Sequence, residues 1–479
     1  LLKSPNDKTI GAVLWSMGGT AGQTVFQLAI FVALARTLTP EIFGIVAIAT
    51  AMIDILNLIG RGGLVEVVVQ RQTVSERTLN ATFFASVILG LLMTASMIFS
   101  SKYVSYAFGI SDLYEVVLIL APTCLLFSAG AVYEAKLRRD YQFKQLAVRN
   151  VTATLVSGSV ALVMALTGFG IYALIAQRLI STAWGLMAMV VAARWMPRLD
   201  LEFDDIVKQL KDGFSISISA LLGAGNQRLI DLIIGYFLGA TALGYLRIAW
   251  RILDLLNELV VRPFANVTLT TLARTKQDGG DLAKAYVSTI RYGAIFIIPV
   301  FIGCAAISVE LVEIMFGPQW NQSAKLLSYL ALVGFLVPLI WFKSNILIAS
   351  GQFRHVIIVN SVEFLLSVVV VAIFSPFGLV SAAIGNVVRT AIATPFILIY
   401  LQRLLGVSIW ETIRVTLPPT TASVAMFSAI LGLGVAFQAP KLIYVGLIFK
   451  VFAGAMIYAI VMLLLDRTIL TDIKRFVRR

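Results

Sequence analysis

The sequence predicts an all-α integral membrane protein: about fourteen transmembrane helices, as two parallel six-helix bundles around a central cavity plus two extra C-terminal helices. Three observations predict it. Apolar residues make up 59% of the 479-residue chain and charged residues only 13%, with a mean hydropathy of +0.92. A soluble domain carries about 25% charged residues, because water must wet its surface. Apolar runs of the length a bilayer core demands, about 20 residues each, follow one another almost end to end. Finally, the first part of the chain recurs in the second.

Glycine, proline and charge clusters punctuate the runs. They place spans near 10–36, 41–65, 78–99, 113–136, 144–167, 170–193, 208–237, 242–270, 283–308, 322–349, 354–375, 377–404, 415–437 and 441–465. The runs are too long, and too poor in period-2 alternation, for a β-barrel. The first run, 9–38, exceeds a signal-peptide core and reads as a span. Lys and Arg crowd alternate connections: Arg71 and Arg77, then Lys136, Arg138, Arg139 and Lys144, then Arg194, Arg198, Lys208 and Lys211, and so on to the tail Arg467, Lys474, Arg475, Arg478 and Arg479. The other connections hold little more than Lys102, Lys325 and Lys441. By the positive-inside rule both termini are cytoplasmic, in a chain read as a multi-pass inner-membrane protein. The outer connections near Gly168, Ala240 and Phe377 read as tight turns. The net charge of +13 is therefore topological, and the basic tail meets anionic lipid headgroups rather than nucleic acid. Cys124 and Cys304 sit in apolar runs, and the single histidine, His355, lies in a short loop; neither pattern makes a metal site, which needs three or four ligands.

The repeat is visible at a constant offset of 200. Gln27/Gln227, Ile30/Ile230, Leu38/Leu238, Gly44/Gly244, Ile48/Ile248, Ala49/Ala249, Asp54/Asp254, Leu56/Leu256 and Asn57/Asn257 are identities. Matched apolar residues are cheap in such a chain, whereas matched intramembrane Asp and Asn are not. Further on, Phe143/Phe353 and Asn150/Asn360 match at 210 and Gly170/Gly378 at 208. Spans 1–6 thus repeat as 7–12, and an even number of spans per half makes the repeat parallel. The expected domains are 1–200, 201–405 and an appendage, 406–479, of two spans and the basic tail.

Charge inside the membrane points to the site. A charge at mid-bilayer costs about 2.5–3.5 kcal/mol even on insertion scales, so it faces protein or water. At 1.5 Å per residue, Arg251 lies roughly 14 Å into span 8 and Asp254 about 18 Å. Arg247, Arg251, Asp254, Glu258 and Arg262 step by three or four, one stripe on one helical face. Span 7 adds Asn226, Gln227, Arg228 and Asp231; span 2 adds Asp54, Asn57 and Arg61; Arg178 and Arg389 are deep in spans 6 and 12. Two readings stand. In one, Arg228, Arg251, Arg178 and Arg389, with Asp231, line a wet cationic cavity for an anionic substrate, since planar guanidiniums grip phosphate oxygens in pairs. In the other they pair internally, Arg228 with Asp231 and Arg251 with Asp254. Asp54 and Asp254 serve ion coupling or helix pairing, and Arg61 and Arg262 lie at the cytoplasmic mouth as gate candidates. Arg149, Arg291 and Lys343 lie nearer the cytoplasmic ends, where topology accounts for them.

Four stretches carry a family likeness: Gly63-Leu64 with Val69-Gln70-Arg71 and Leu79-Asn80-Ala81-Thr82-Phe83; Leu137-Arg138-Arg139-Asp140-Tyr141-Gln142-Phe143; Arg228-Leu229-Ile230-Asp231 through Leu238-Gly239-Ala240-Thr241-Ala242-Leu243-Gly244-Tyr245; and Phe316-Gly317-Pro318-Gln319-Trp320. On these the chain resembles the Wzx-like oligosaccharide flippases of the multidrug/oligosaccharidyl-lipid/polysaccharide exporter superfamily, in the branch serving colanic-acid-like and succinoglycan-like exopolysaccharides. The resemblance implies export of an undecaprenyl-pyrophosphate-linked oligosaccharide repeat unit by alternating access. It implies no resident cofactor, coupling to H+ or Na+, and work alongside a polysaccharide polymerase and chain-length machinery. A lipid-precursor flippase or a cation-coupled drug exporter would share the fold. A membrane polymerase or glycosyltransferase would instead need a large outer loop or an acid/base or metal site near a membrane face, and the sequence shows neither.

Overall fold

A computed structural model describes residues 23–70, 74–200, 203–436 and 443–466, with some helical side chains, Arg61 among them, outside the described set. The start of the first expected span, the glycines 11, 18, 19 and 22, and the basic tail also lie outside the described residues. Among the described residues every regular element is helical. In chain order they are α1 (Gln23–Thr37), α2 (Pro40–Gln70), α3 (Glu76–Phe108), α4 (Asp112–Leu120), α5 (Pro122–Arg139), α6 (Phe143–Leu166), α7 (Ile171–Ala193), α8 (Phe203–Leu256), α9 (Arg262–Gln277), α10 (Leu282–Ala306), α11 (Ser308–Phe316), α12 (Asn321–Leu330), α13 (Val337–Trp341), α14 (Lys343–Ala349), α15 (Phe353–Phe374), α16 (Leu379–Leu405), α17 (Ile409–Ala436) and α18 (Ile443–Leu465).

Eleven of the described helices are long and apolar enough to cross a membrane, or twelve if the pair bent by 60° around Leu336 is one span. The fourteen expected spans differ from this at two places. The described part of the first, α1, is only 15 residues long. The seventh and eighth run on as one stretch, Gly225–Gln277, whose 53 residues would rise about 80 Å at 1.5 Å each, far more than a bilayer core of about 30 Å. Inside it Gly239 takes φ 80, ψ 176, a conformation open to glycine alone, so the axis breaks where the sequence places a tight turn. The other two expected turns also rest on glycine, at Gly168 (φ 88) and Gly378 (φ 105). The bent span owes its break to Pro338, which lacks the N–H that would continue the ladder. The helix that outruns its expected end furthest is α3, which continues through Ser100, Ser101 and Ser105. The hydroxyls of Ser100 and Ser101 turn back onto carbonyls three residues earlier, which lets a polar run stay helical until Gly109 caps it in the left-handed region.

The chain forms two compact units, Leu1–Gly244 and Tyr245–Arg479. In the first, α5 is the central helix, packed on α2, α3 and α7, over a core that includes Val68, Leu79, Tyr133, Leu137, Met189 and Trp195. Trp195 Nε1 donates to Glu76 Oε2 at 2.8 Å, so even this buried indole is satisfied. The repeat register reappears here as one close crossing. A Cβ on Gly44 would lie 1.7 Å from the Ala240 carbonyl oxygen, and one on Gly244 would lie 1.8 Å from the Pro40 carbonyl oxygen. Gly44 and Gly244, and likewise Pro40 and Ala240, are 200 residues apart, so the two contacts exchange roles across a local twofold. Backbones approach this closely in membranes only where both faces are glycine-like.

In the second unit α10 is central, packed on α9, α12, α13 and α17. Asp281 caps its start, accepting from the backbone N–H groups of Ala283 and Lys284. The Lys284 N–H, foremost, holds that carboxyl below its usual range. The last two spans are fastened to α10: Ile298 and Ile302 pack on Met426 and Ile430. Arg291 pairs with Asp466 at 2.8 Å, Tyr458 donates to the Ile295 carbonyl, and Lys450 pairs with Glu310 of α11.

Candidate functional site

The first unit gathers four of the candidate residues at one point. Asp54 of α2 accepts from Arg178 of α7 and lies 3.1 Å from Nε of Arg228 on α8. Arg228 also lies 3.5 Å from Asp231, one turn along the same helix. Three helices thus meet on one carboxylate. Each side chain turns inward because a charge in a membrane-spanning stretch has no lipid-facing alternative. Asp231 is 1% exposed, whereas Asp54, Arg178 and Arg228 are 20%, 35% and 30% exposed, so the junction is partly accessible rather than sealed. Nε of Arg178 is buried and donates to no acceptor among the described residues.

Among the described residues the junction sets two guanidiniums against two carboxylates. Sequence spacing anticipates the Arg228–Asp231 pair. It does not anticipate that Asp54, 124 residues from Arg178, holds two arginines at once. A second charged group adjoins. Glu134 of α5, buried, receives Arg138 at 2.5 Å and Arg149 of α6 at 3.3 Å. The Nε and Nη2 of Arg149 also donate to Asn150 Oδ1 at 2.9 and 2.5 Å. Arg149 is therefore engaged in an interhelix ion pair in addition to any part in topology. Glu134 escapes sequence reasoning because it sits in the polar run Glu134-Ala135-Lys136-Leu137-Arg138-Arg139, which reads as a span end. A cavity of about 180 Å³ lies between α6 and α7, with Arg149 and Arg178 both on its wall.

The remaining candidates belong to the second unit. Arg251 is half-buried, Asp254 and Arg262 are exposed, and Arg262 lies 3.6 Å from Glu258. A π-helical turn, Asn257–Val261, interrupts their stripe just before Pro263, whose ring an α-turn would press against the preceding carbonyls. Arg389 of α16 donates to Ser367 Oγ of α15 at 2.7 Å. One turn back, Glu363 pairs with Lys343 of α14 at 2.9 Å. Glu134 and Lys343 are 209 residues apart, close to the repeat offset of these spans. Among the described residues no group of three His, Cys, Asp or Glu side chains is placed to hold a metal ion.

Comparison with known proteins agrees with this architecture. Residues 33–325 match the family described as polysaccharide biosynthesis protein. The chain is 25% identical over 335 residues to the succinoglycan biosynthesis transport protein ExoT of Rhizobium meliloti (strain 1021), covering 70% of this chain and 68% of that one. It is 21% identical over 429 residues to the lipopolysaccharide biosynthesis protein WzxC of Escherichia coli (strain K12), covering 83% and 86%. In fold it is similar to the lipid II flippase MurJ in an inward closed conformation, with a TM-score of 0.79 over 96% of this chain and all of that one, at 13% identity; the likeness is one of fold alone. The chain belongs to the polysaccharide biosynthesis protein family, as a multi-pass membrane transport protein and not an enzyme.

Proposed function

We propose that the chain flips a polyprenyl-pyrophosphate-linked oligosaccharide repeat unit across the bacterial inner membrane, cytoplasmic to periplasmic leaflet, by alternating access. In this reading it has fourteen spans, its termini are cytoplasmic, and it feeds a periplasmic polymerase. The observation that carries the reading is the convergence of Arg178 and Arg228 on Asp54. Two guanidiniums from different helices bridged by one carboxylate form the arrangement that also grips a phosphate, whose oxygens accept in pairs. Asp54 and the substrate pyrophosphate compete for the same donors. When the headgroup displaces Asp54, the two guanidiniums turn their positive charge onto it; the cycle in this reading is coupled to H+ or Na+. Among the described residues Asp54 faces Arg178 and Arg228, with Asp231 one turn from Arg228 and the buried Cys124 of α5 nearby. A drug exporter for organic cations fits less well, since removing Asp54 from the balance leaves a cationic site.

The test is complementation of an exopolysaccharide-negative strain. Arg178→Ala and Arg228→Ala abolish polymer export at normal membrane abundance, and lipid-linked repeat units accumulate in the cytoplasmic leaflet. Normal polymer from both variants would overturn the reading.

A further inference from the structure

The cavity beside Arg178 has a wall whose chemistry is more specific than charge. We propose that it is a subsite for one sugar ring, the ring attached next to the pyrophosphate of the substrate; the inference rests on the function proposed above. Three features point there.

Its size is the first: a cavity of about 180 Å³ has room for several waters, and so for a pyranose ring in their place. Its wall is the second. Asn150 spends its carbonyl oxygen on Arg149, so its amide N–H groups are what it has left to give. Thr154 and Thr182 spend their hydroxyl protons on the carbonyls of Asn150 and Arg178, each at 2.9 Å, so their oxygens are left to accept. Donors and acceptors therefore alternate around the cavity, on the α6 side and again on the α7 side. A polyol satisfies both kinds. A phosphate would set its oxygens against the threonine oxygens, and an acyl chain would leave the remaining amide donors and hydroxyl acceptors unsatisfied. Leu186 and Met189 complete the lining with an apolar surface suited to the C–H face of a ring. Position is the third: Arg178 belongs to both the cavity wall and the Asp54 junction, as a sugar directly attached to the pyrophosphate requires.

Gly185 supplies a clean test. It lines the cavity, and a Cβ there would meet no atom within 4 Å. Gly185→Leu fills the space and raises helix propensity, so a mere packing void would accept it with unchanged or better stability. The measurement is native mass spectrometry of purified full-length protein with two probes, undecaprenyl pyrophosphate and the same lipid bearing one hexose. The wild type binds the sugar-bearing lipid about tenfold more tightly. Gly185→Leu loses that preference while keeping its affinity for the sugar-free lipid, and Thr182→Val, which keeps the shape and removes the acceptor, reduces the preference several-fold; should Gly185→Leu fail to insert, Thr182→Val carries the test. Equal binding of the two lipids by the wild type overturns the subsite and leaves the pyrophosphate reading standing. Binding of neither overturns both. Retention of the preference in Gly185→Leu places the sugar elsewhere and also overturns the proposal.

Discussion

Gly44→Ala is the sharpest structural prediction. The added Cβ would sit 1.7 Å from the Ala240 oxygen, 2.3 Å from its carbonyl carbon and 2.9 Å from its Cα. All three are backbone atoms, so no rotamer change relieves the overlap, and the helices must separate by about 1.3 Å to reach even the tightest contact real Cβ atoms make. A gap of 0.5–1 Å already forfeits a quarter to a half of each dispersion contact, and overpacking of this kind costs about 1–3 kcal/mol. Gly244→Ala strains the same crossing from its other side, at 1.8 Å from the Pro40 oxygen. Because the crossing is shared, the double variant is less destabilised than the sum of the singles. Gly432→Ala is the control, since a Cβ there meets nothing within 4 Å, and it is neutral or slightly stabilising. The assay is loss of the monodisperse peak of a fluorescent fusion after graded heating in detergent. Equal heat resistance of Gly44→Ala and Gly432→Ala would refute the close crossing and the local twofold built on it.

Two further outcomes concern the ion pairs. Glu134→Gln leaves Arg149 and Arg138 without their shared carboxylate; breaking a buried pair costs about 3–5 kcal/mol, and the partial exposure of Arg138 puts the loss at the lower end. Membrane abundance falls, and Glu134→Gln combined with Arg149→Met recovers part of it. In the second unit Lys343→Glu places two carboxylates together and is poorly inserted, whereas Lys343→Glu with Glu363→Lys restores the pair with its polarity reversed; abundance in the double variant above either single checks the pairing.

Much of this fold is legible in the sequence because bilayer thickness sets the length of each run, and glycines mark the turns at Gly168, Gly239 and Gly378. The offset of 200 is equally legible, and Gly44 and Gly244 give it a physical purpose. What hydropathy does not convey is how charges are shared between distant helices. Arg228 and Asp231 announce themselves at three residues apart. Asp54 shows only as one acid in an apolar run, and its engagement with Arg178 and Arg228 exists only once α2, α7 and α8 meet. Glu134 is hidden for the opposite reason: it lies among charges that mark a span end, and its burial depends on the packing of α2, α3 and α7 around α5. The extension of α3 turns on serine hydroxyls satisfying themselves within the helix, a local hydrogen-bond choice that averaged hydropathy does not register.

The central claim is that Asp54 and the substrate's pyrophosphate compete for Arg178 and Arg228, and the most direct measurement is the affinity of the purified protein for undecaprenyl pyrophosphate in three variants. The account predicts that Arg178→Ala and Arg228→Ala weaken binding, while Asp54→Asn tightens it by about tenfold, about 1.4 kcal/mol. Weakening by Asp54→Asn comparable to that of the arginine variants would contradict it, and would make Asp54 a structural brace rather than a competitor.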